Sequence, residues 1–371
     1  MILGDDERGG GKQKTQGGAT LDSLFRRAGV RHAQAVALAD PPDRYRITDG
    51  VPRALTFADA DRAISGVAAQ LRGLGLPTDA MVAIHLGNTV ESVIALLGVL
   101  RAGMIAIPLP LLWRKQEIVA ALGQVGAKAI ITTPHVGNIR TSEVAVDAAV
   151  ELFTIRHVCG FGRGLPDGIV PLDGNQPASS DATNAPARSG EASAHVAVVT
   201  FETTSSGFVA VARSHRQLIA GGLAVALEAG HREDASVLTA VPLTSFAGLA
   251  LALVPWLMSG GTLHLHHPFA PEAFATQRKE IDAGLVVLPG PTLPALGRLS
   301  RPSGETIAAL WRNPERLTTQ PAWYGPSALV DVAAFGEVGL IASRRRPGAE
   351  PDPLPHGVVG ASRRAANAEP L

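Results

Sequence analysis

The 371 residues carry 33 Lys and Arg against 33 Asp and Glu, a formal net charge of zero at pH 7. That balance does not point to nucleic acid or to an anionic membrane surface as a partner. Apolar residues make up 46% and charged residues 18%, which indicates a folded body with a sizeable core rather than disorder. The single cysteine, Cys159, allows no disulfide within the chain and fits a reducing, cytoplasmic setting.

The first residues, MILGDDERGGGKQKTQGG, are polar and Gly-rich and lack the apolar core of a signal peptide. Residues 1–19 are expected to be a disordered tail. No uninterrupted apolar run reaches the length of a membrane span. Thr56 and Asp59 form a capping-box pattern, and Ala60, Ile64, Val67, Ala68 and Leu71 follow at helical spacing. Gly73 and Gly75 end that helix. Met81 to Leu86 reads as a short apolar strand. Asn88 and Glu91 resemble a second capping box, opening a helix through Val93, Leu96, Leu97 and Leu100 to about Gly103. A strand at Ile105 to Pro108, a helix through Ile118 to Val125 and a strand at Lys128 to Thr133 complete the pattern. This alternation predicts an α/β fold, with layered, mostly parallel sheets flanked by helices.

Residues 160–194 are rich in Gly, Pro, Ser, Asp and Asn and read as a long surface connection. Two apolar runs then flank Glu202-Thr203-Thr204-Ser205-Ser206-Gly207, which predicts a hairpin. Ser214 and Gln217 open a further helix. Leu243 to Met258 reads as a buried helix. A strand at Thr262 to His266, a helix near Pro271 to Ile281 and a strand at Leu285 to Leu288 continue the alternation. From Ser343 onward the chain is rich in Arg, Pro, Gly and Ala, and residues 343–371 are expected to be a loosely ordered tail.

The loop Thr203, Thr204, Ser205, Ser206 and Gly207 is the most suggestive segment. Small residues let backbone amides approach an anion, and the hydroxyls add donors; a solvated hairpin turn has the same composition. His264 and His266 would share one face of a strand, as a zinc pair can. Neither a carboxylate nor a cysteine completes a set nearby, so a strand-end role is the reading adopted. No G-x-S-x-G occurs, so the nucleophile elbow of a serine hydrolase is absent.

Strand, hydroxyl loop, strand and then Ser214-His215-Arg216-Gln217-Leu218 resemble the phosphate-loop signature of the adenylate-forming superfamily. Its members include acyl-CoA synthetases, luciferases and peptide-synthetase adenylation domains. Thr56-Phe57, the run Asp79 to Leu109, Pro242-Leu243 with Gly248-Leu249, and Gly260-Gly261-Thr262-Leu263 are similar to further motifs of that family. The resemblance covers about residues 20 to 340 and implies the large N-terminal domain of an acyl-CoA synthetase, placed here at 20–342. It implies ATP-dependent activation of a carboxylic acid through an acyl-adenylate, with Mg²⁺, and coenzyme A as acceptor. Thr203, Thr204, Ser205, Ser206 and Gly207 would hold the nucleotide. His215 would be structural or nucleotide-adjacent. Phe335-Gly336-Glu337 echoes the family's Y-G-x-T-E, which would make Glu337 the catalytic acidic residue beside Mg²⁺.

Several positions depart from the pattern. The loop has no lysine, and Ser245 stands where the family has histidine. The ribose-binding Asp and a C-terminal lid domain with its Lys have no counterpart in these 371 residues. Impaired adenylation is therefore expected, with a separate chain supplying the lid as one route to activity. The alternatives are a non-catalytic ligand- or partner-binding pseudoenzyme and a truncated gene product.

Overall fold

The computed structural model describes residues 18–172, 188–296 and 304–354. The expected N-terminal tail lies almost wholly outside the described residues, as do residues 173–187 of the long connection and the final stretch from 355.

Helix α1 (Leu21–Arg31) starts at a Thr20–Ser23 capping box. Strands β1 (Val36–Ala39) and β2 (Ala54–Thr56) lead into α2 (Phe57–Gly73), whose Thr56–Asp59 capping box forms as expected. Next come β3 (Met81–Ile84), α3 (Val90–Arg101), β4 (Ile105–Pro108), α4 (Lys115–Val125), β5 (Ala129–Thr132) and α5 (Thr141–Glu151). Within the long connection lie β6 (His157–Gly160), which ends at its first residue, and the two-residue β7 (Val170–Pro171). The hairpin is β8 (Val196–Thr204) and β9 (Gly207–Ser214), followed by α6 (His215–Ala229) behind the Ser214–Gln217 capping box.

Strand β10 (Ser236–Thr239) precedes the buried helical segment. That segment runs as α7 (Phe246–Gly248), a π-helical stretch (Leu249–Leu253) and α8 (Val254–Ser259). The remaining elements are β11 (Leu263–Leu265), α9 (Pro271–Glu280), β12 (Ala283–Pro289), α10 (Leu293–Leu296), β13 (Thr306–Trp311), α11 (Pro314–Thr318), β14 (Ala328–Phe335) and β15 (Gly339–Arg345). Regular structure thus runs to Arg345, past the expected boundary at residue 342, because β15 pairs antiparallel with β14 from Phe335↔Gly339 to Leu329↔Arg345.

The strands form two sheets. One has the order β15-β14-β13-β12-β10-β11-β1-β2, the other β7-β6-β5-β3-β4-β8-β9. Among the named strands of the described residues, only the pairs β1–β2, β14–β15 and β8–β9 are antiparallel. Side chains alternate across each sheet. Val82 and Ile84 join the central core, while Ala83 between them joins a cluster with Ile118 and Ala145 of α4 and α5. The central core holds residues of both sheets together with α1, α2, α3, α6 and the 246–259 segment. A third cluster packs Phe274 of α9 and Leu317 of α11 on the far face of the larger sheet. The layers are therefore α/β/α/β/α, the mostly parallel α/β arrangement expected from the alternation.

One expected start is made differently. The capping box read at Asn88 and Glu91 does not form, and α3 has Thr89 at its N-cap without a side-chain bond. Asp40, about 50 residues away, caps the helix instead by accepting from the Val90 amide at 2.9 Å. Glu91 is turned to Arg44 and Arg53, and Asn88 donates to the His266 carbonyl at 3.2 Å.

Candidate functional site

Parallel α/β sheets place ligands beyond the carboxyl ends of their strands. Three such segments converge here: the residues after β10, the residue after β13, and the β14–β15 turn. The β8–β9 hairpin joins them.

The hydroxyl loop is a tight turn. Thr204 pairs with Gly207 across the hairpin, leaving Ser205 and Ser206 at its tip. Gly207 sits at φ +118°, a conformation glycine adopts without strain. The Thr204 hydroxyl accepts from the Ser206 amide at 3.3 Å, donates to the Gly207 carbonyl at 2.9 Å, and lies 3.0 Å from Ser206 Oγ. Thr203 and Ser205 are exposed, and their hydroxyls have no hydrogen-bond partner among the described residues. Residues 202–212 contain no Lys or Arg. The first cation after the loop, Arg213, is already committed. It donates to the carbonyls of Glu337 and Val338, the latter at 2.8 Å, and its guanidinium stacks 3.7 Å over the Phe246 ring.

Glu337 is buried in the β14–β15 turn. Its Oε2 accepts from the Phe246 amide at 2.7 Å, and its own amide donates to Glu202 Oε2. Burial raises the pKa of this carboxyl above the usual range. The Phe246 amide, the Thr200 hydroxyl and the Arg312 guanidinium work against that rise, whereas the Glu202 charge adds to it. Each of the two carboxylates thus has one oxygen on a backbone amide. The pair suits one Mg²⁺ of the kind that takes one or two carboxylates and keeps several waters. Ser245 caps the Gly248 amide at 3.2 Å and accepts from Arg312 Nη2 at 3.0 Å. Gly248 itself admits no side chain, because a Cβ there would collide with the Pro242 carbonyl.

Of the residues predicted from sequence, the structure brings Glu337 to the base of the hydroxyl loop through Glu202. His215 is placed elsewhere. Its Nδ1 accepts from the Leu21 amide at 3.3 Å, so it fastens the start of α1 to α6, with the proton on Nε2. His266 uses both ring nitrogens, on Gln277 Oε1 at 2.8 Å and on the Ala270 amide at 3.3 Å. No group of three or more His, Cys, Asp or Glu that could hold a metal occurs among the described residues. Glu202, Arg213 and Arg312 were not singled out from the sequence.

Burial pushes the pKa of His85, His215, His231, His264 and His267 down to about 4 from the ordinary 6.5. These rings fold neutral, and the unfolded chain binds the extra protons more readily. Their contribution is therefore fully present above pH 6.5 and is lost as pH falls through about 4. Denaturant unfolding at pH 7, 6 and 5 is expected to show stability falling, with a shallower fall in His215→Gln. An unchanged slope in the variant would remove His215 from this account.

One cavity opens beside the residues after β10, and a second opens beyond β5 and β6 of the other sheet. The first, of about 510 Å³, is mostly apolar and includes Ile47, Leu111, Val136, Ile139, Pro242 and Thr244 in its wall. The second, of about 600 Å³, is lined in part by Arg44, Arg53, Glu91, His135 and Arg163. No helix among the described residues is long and apolar enough to cross a membrane.

The sequence model of the AMP-binding enzymes matches residues 25–288. The long-chain-fatty-acid–CoA ligase of Salmonella typhimurium is 29% identical over 140 residues, which is 38% of this chain and 22% of that protein. The match therefore spans under a quarter of that relative. The inhibitor-bound N-terminal domain of FACL13 from Mycobacterium tuberculosis superposes with a TM-score of 0.68 at 16% identity, covering 85% of this chain and 76% of that one. MbtA of Mycobacterium smegmatis gives a TM-score of 0.68 at 20% identity, covering 88% and 58%. At these identities the structural likeness is one of fold.

Proposed function

The chain belongs to the AMP-binding enzyme family, and on that premise we propose that it binds ATP and a carboxylic acid and forms the acyl-adenylate slowly by itself. In this reading the carboxylate attacks the α-phosphorus and pyrophosphate leaves, then the sulfur of a thiol such as coenzyme A attacks the acyl carbon and AMP leaves. The loop amides and the free hydroxyls of Thr203 and Ser205 hold phosphate oxygens. Glu337, with Glu202, holds Mg²⁺, which supplies charge neutralisation. The apolar cavity beside Pro242 and Thr244 receives the body of the acid.

The observation that carries the slow rate is the loop's charge. Displacement at phosphorus is mostly positioning and charge neutralisation, and residues 202–212 offer only neutral donors and the carboxylate of Glu202. One lost oxyanion donor costs on the order of 10²–10³ in rate. A non-catalytic binder is the second reading, favoured by the Thr204 hydroxyl being satisfied within its own turn. Titration calorimetry with ATP and Mg²⁺ separates the two. Saturable binding that weakens in a Thr203→Ala, Ser205→Ala double variant is expected. Failure of the folded chain to bind ATP at millimolar concentration would exclude the ligase reading.

A further inference from the structure

A cation with open donors stands beside this cluster on a different element, at the end of β13. Arg312 is the first residue after β13, and its anchorage is rigid. The preceding Trp311 is buried and donates from Nε1 to Asp331 Oδ1 at 3.0 Å. Asp331 in turn holds Arg345 by two bonds of 2.7 Å. Gly290 lies so close to the Trp311 ring that a Cβ there would collide with it. The strand end is therefore fixed on both sides, and Arg312 leaves it at a defined point.

From there Nη2 reaches Ser245 Oγ at 3.0 Å, and the guanidinium stands near enough to Glu337 to stabilise its carboxylate. Its other N–H groups meet no partner among the described residues, and the residue is exposed. Arg213 differs on each count: it is buried, and two carbonyls already accept from it. Arg312 is thus the cation of this cluster with donors to spare. A planar guanidinium with several open donors suits an oxyanion bound through two oxygens.

We propose that Arg312, oriented by Ser245, is the oxyanion-binding residue of this site, receiving a phosphate group of the nucleotide or the carboxylate of the acid. The inference deepens the nucleotide-and-acid reading above and rests on it for the identity of the ligand. Arg312 serves ground-state binding from a fixed strand end. It does not sit on the loop, so the slow chemistry expected from that loop stands.

The test compares wild type, Arg312→Gln, Arg312→Lys and Arg316→Gln by calorimetry, with melting temperatures confirming folding. Arg316 is exposed on α11, one turn further on, and serves as the charge control. The ligands are pyrophosphate, ATP with Mg²⁺, and hydrophobic carboxylic acids each paired with its primary amide. Arg312→Gln is expected to weaken the oxyanion ligand by on the order of 10- to 100-fold. Arg312→Lys should recover part of that, and Arg316→Gln should match wild type. Loss confined to ATP and pyrophosphate assigns a phosphate, and loss of the acid's preference over its amide assigns the carboxylate. Pyrophosphate binding through Arg312 without ATP binding would keep this inference and overturn the nucleotide reading. Equal binding by wild type and Arg312→Gln, or binding of none of these ligands by wild type, would overturn the inference.

Discussion

Replacing Arg278 by methionine is expected to lower the unfolding free energy by about 3–5 kcal/mol. Arg278 on α9 and Glu305 at the entry to β13 are both 3% exposed at the side chain. Nε meets Glu305 Oε2 at 2.9 Å, Nη2 bonds Oε1, and Ser327 Oγ donates to the same Oε1 at 2.7 Å. Removing the guanidinium leaves a buried carboxylate with one neutral donor, which is the costly way to break such a pair. Removing both partners, as Arg278→Met with Glu305→Leu, should restore much of the loss, because no charge is then stranded. Urea unfolding of the four members of this cycle measures it. A single-variant loss below about 1 kcal/mol, the range of exposed pairs, would show that the pair is solvated. The pair fixes one end of β13, and Arg312 leaves from the other.

Truncating Trp256 to alanine is expected to cost a similar amount, about 3–5 kcal/mol. Its side chain is fully buried on α8 and packs against Phe25 of α1 and Phe57 of α2 at ring-centroid distances of 5.9 and 6.4 Å. Its Nε1 donates to the Gly261 carbonyl at 2.9 Å. This aromatic cluster lies in the helical layer between the two sheets, so the cavity opens where both halves of the fold share contacts. Trp256→Phe keeps most of the apolar volume and should lose less than half as much. Equal losses for the two variants would place the main contribution in the Gly261 hydrogen bond rather than in packing.

The parts of the fold that were legible in the sequence are those written locally. The capping boxes at Thr56 and Ser214 use a donor and an acceptor three residues apart, and both form. The hairpin around Thr203–Gly207 was readable because two β-rich runs flank a short polar turn. The start of α3 was misread because its cap comes from Asp40, which no local window contains. Strands β13 and β14 were missed for a different reason. TIAALW and ALVDVAAF are buried on both faces, so they show no alternation. Asp331 in the middle of β14 disguises it further, although Trp311 and Arg345 satisfy that carboxylate completely.

The candidate site was legible only in outline. Glu337 could be singled out because an acidic residue after Phe-Gly echoes a motif, and the structure puts it beside the loop's base. His215 was singled out on the same grounds, yet its ring nitrogen is occupied by the Leu21 amide, 194 positions away in sequence. Arg312 carried no such signal. An arginine before Asn-Pro reads as a solvated loop residue, and only the register of β13 and the position of Ser245 reveal what it faces.

A family fold with a neutral hydroxyl loop is expected to adenylate slowly. ATP–pyrophosphate exchange by the purified 371-residue chain, with Mg²⁺ and a panel of short, long and aromatic acids, tests it most directly. Enzymes commonly turn over at about 10 s⁻¹. Loss of one oxyanion donor should divide that by on the order of 10²–10³, so exchange no faster than roughly 0.1 s⁻¹ is predicted with the best acid. Exchange near 10 s⁻¹ with any acid would contradict the account and show that the loop needs no lysine.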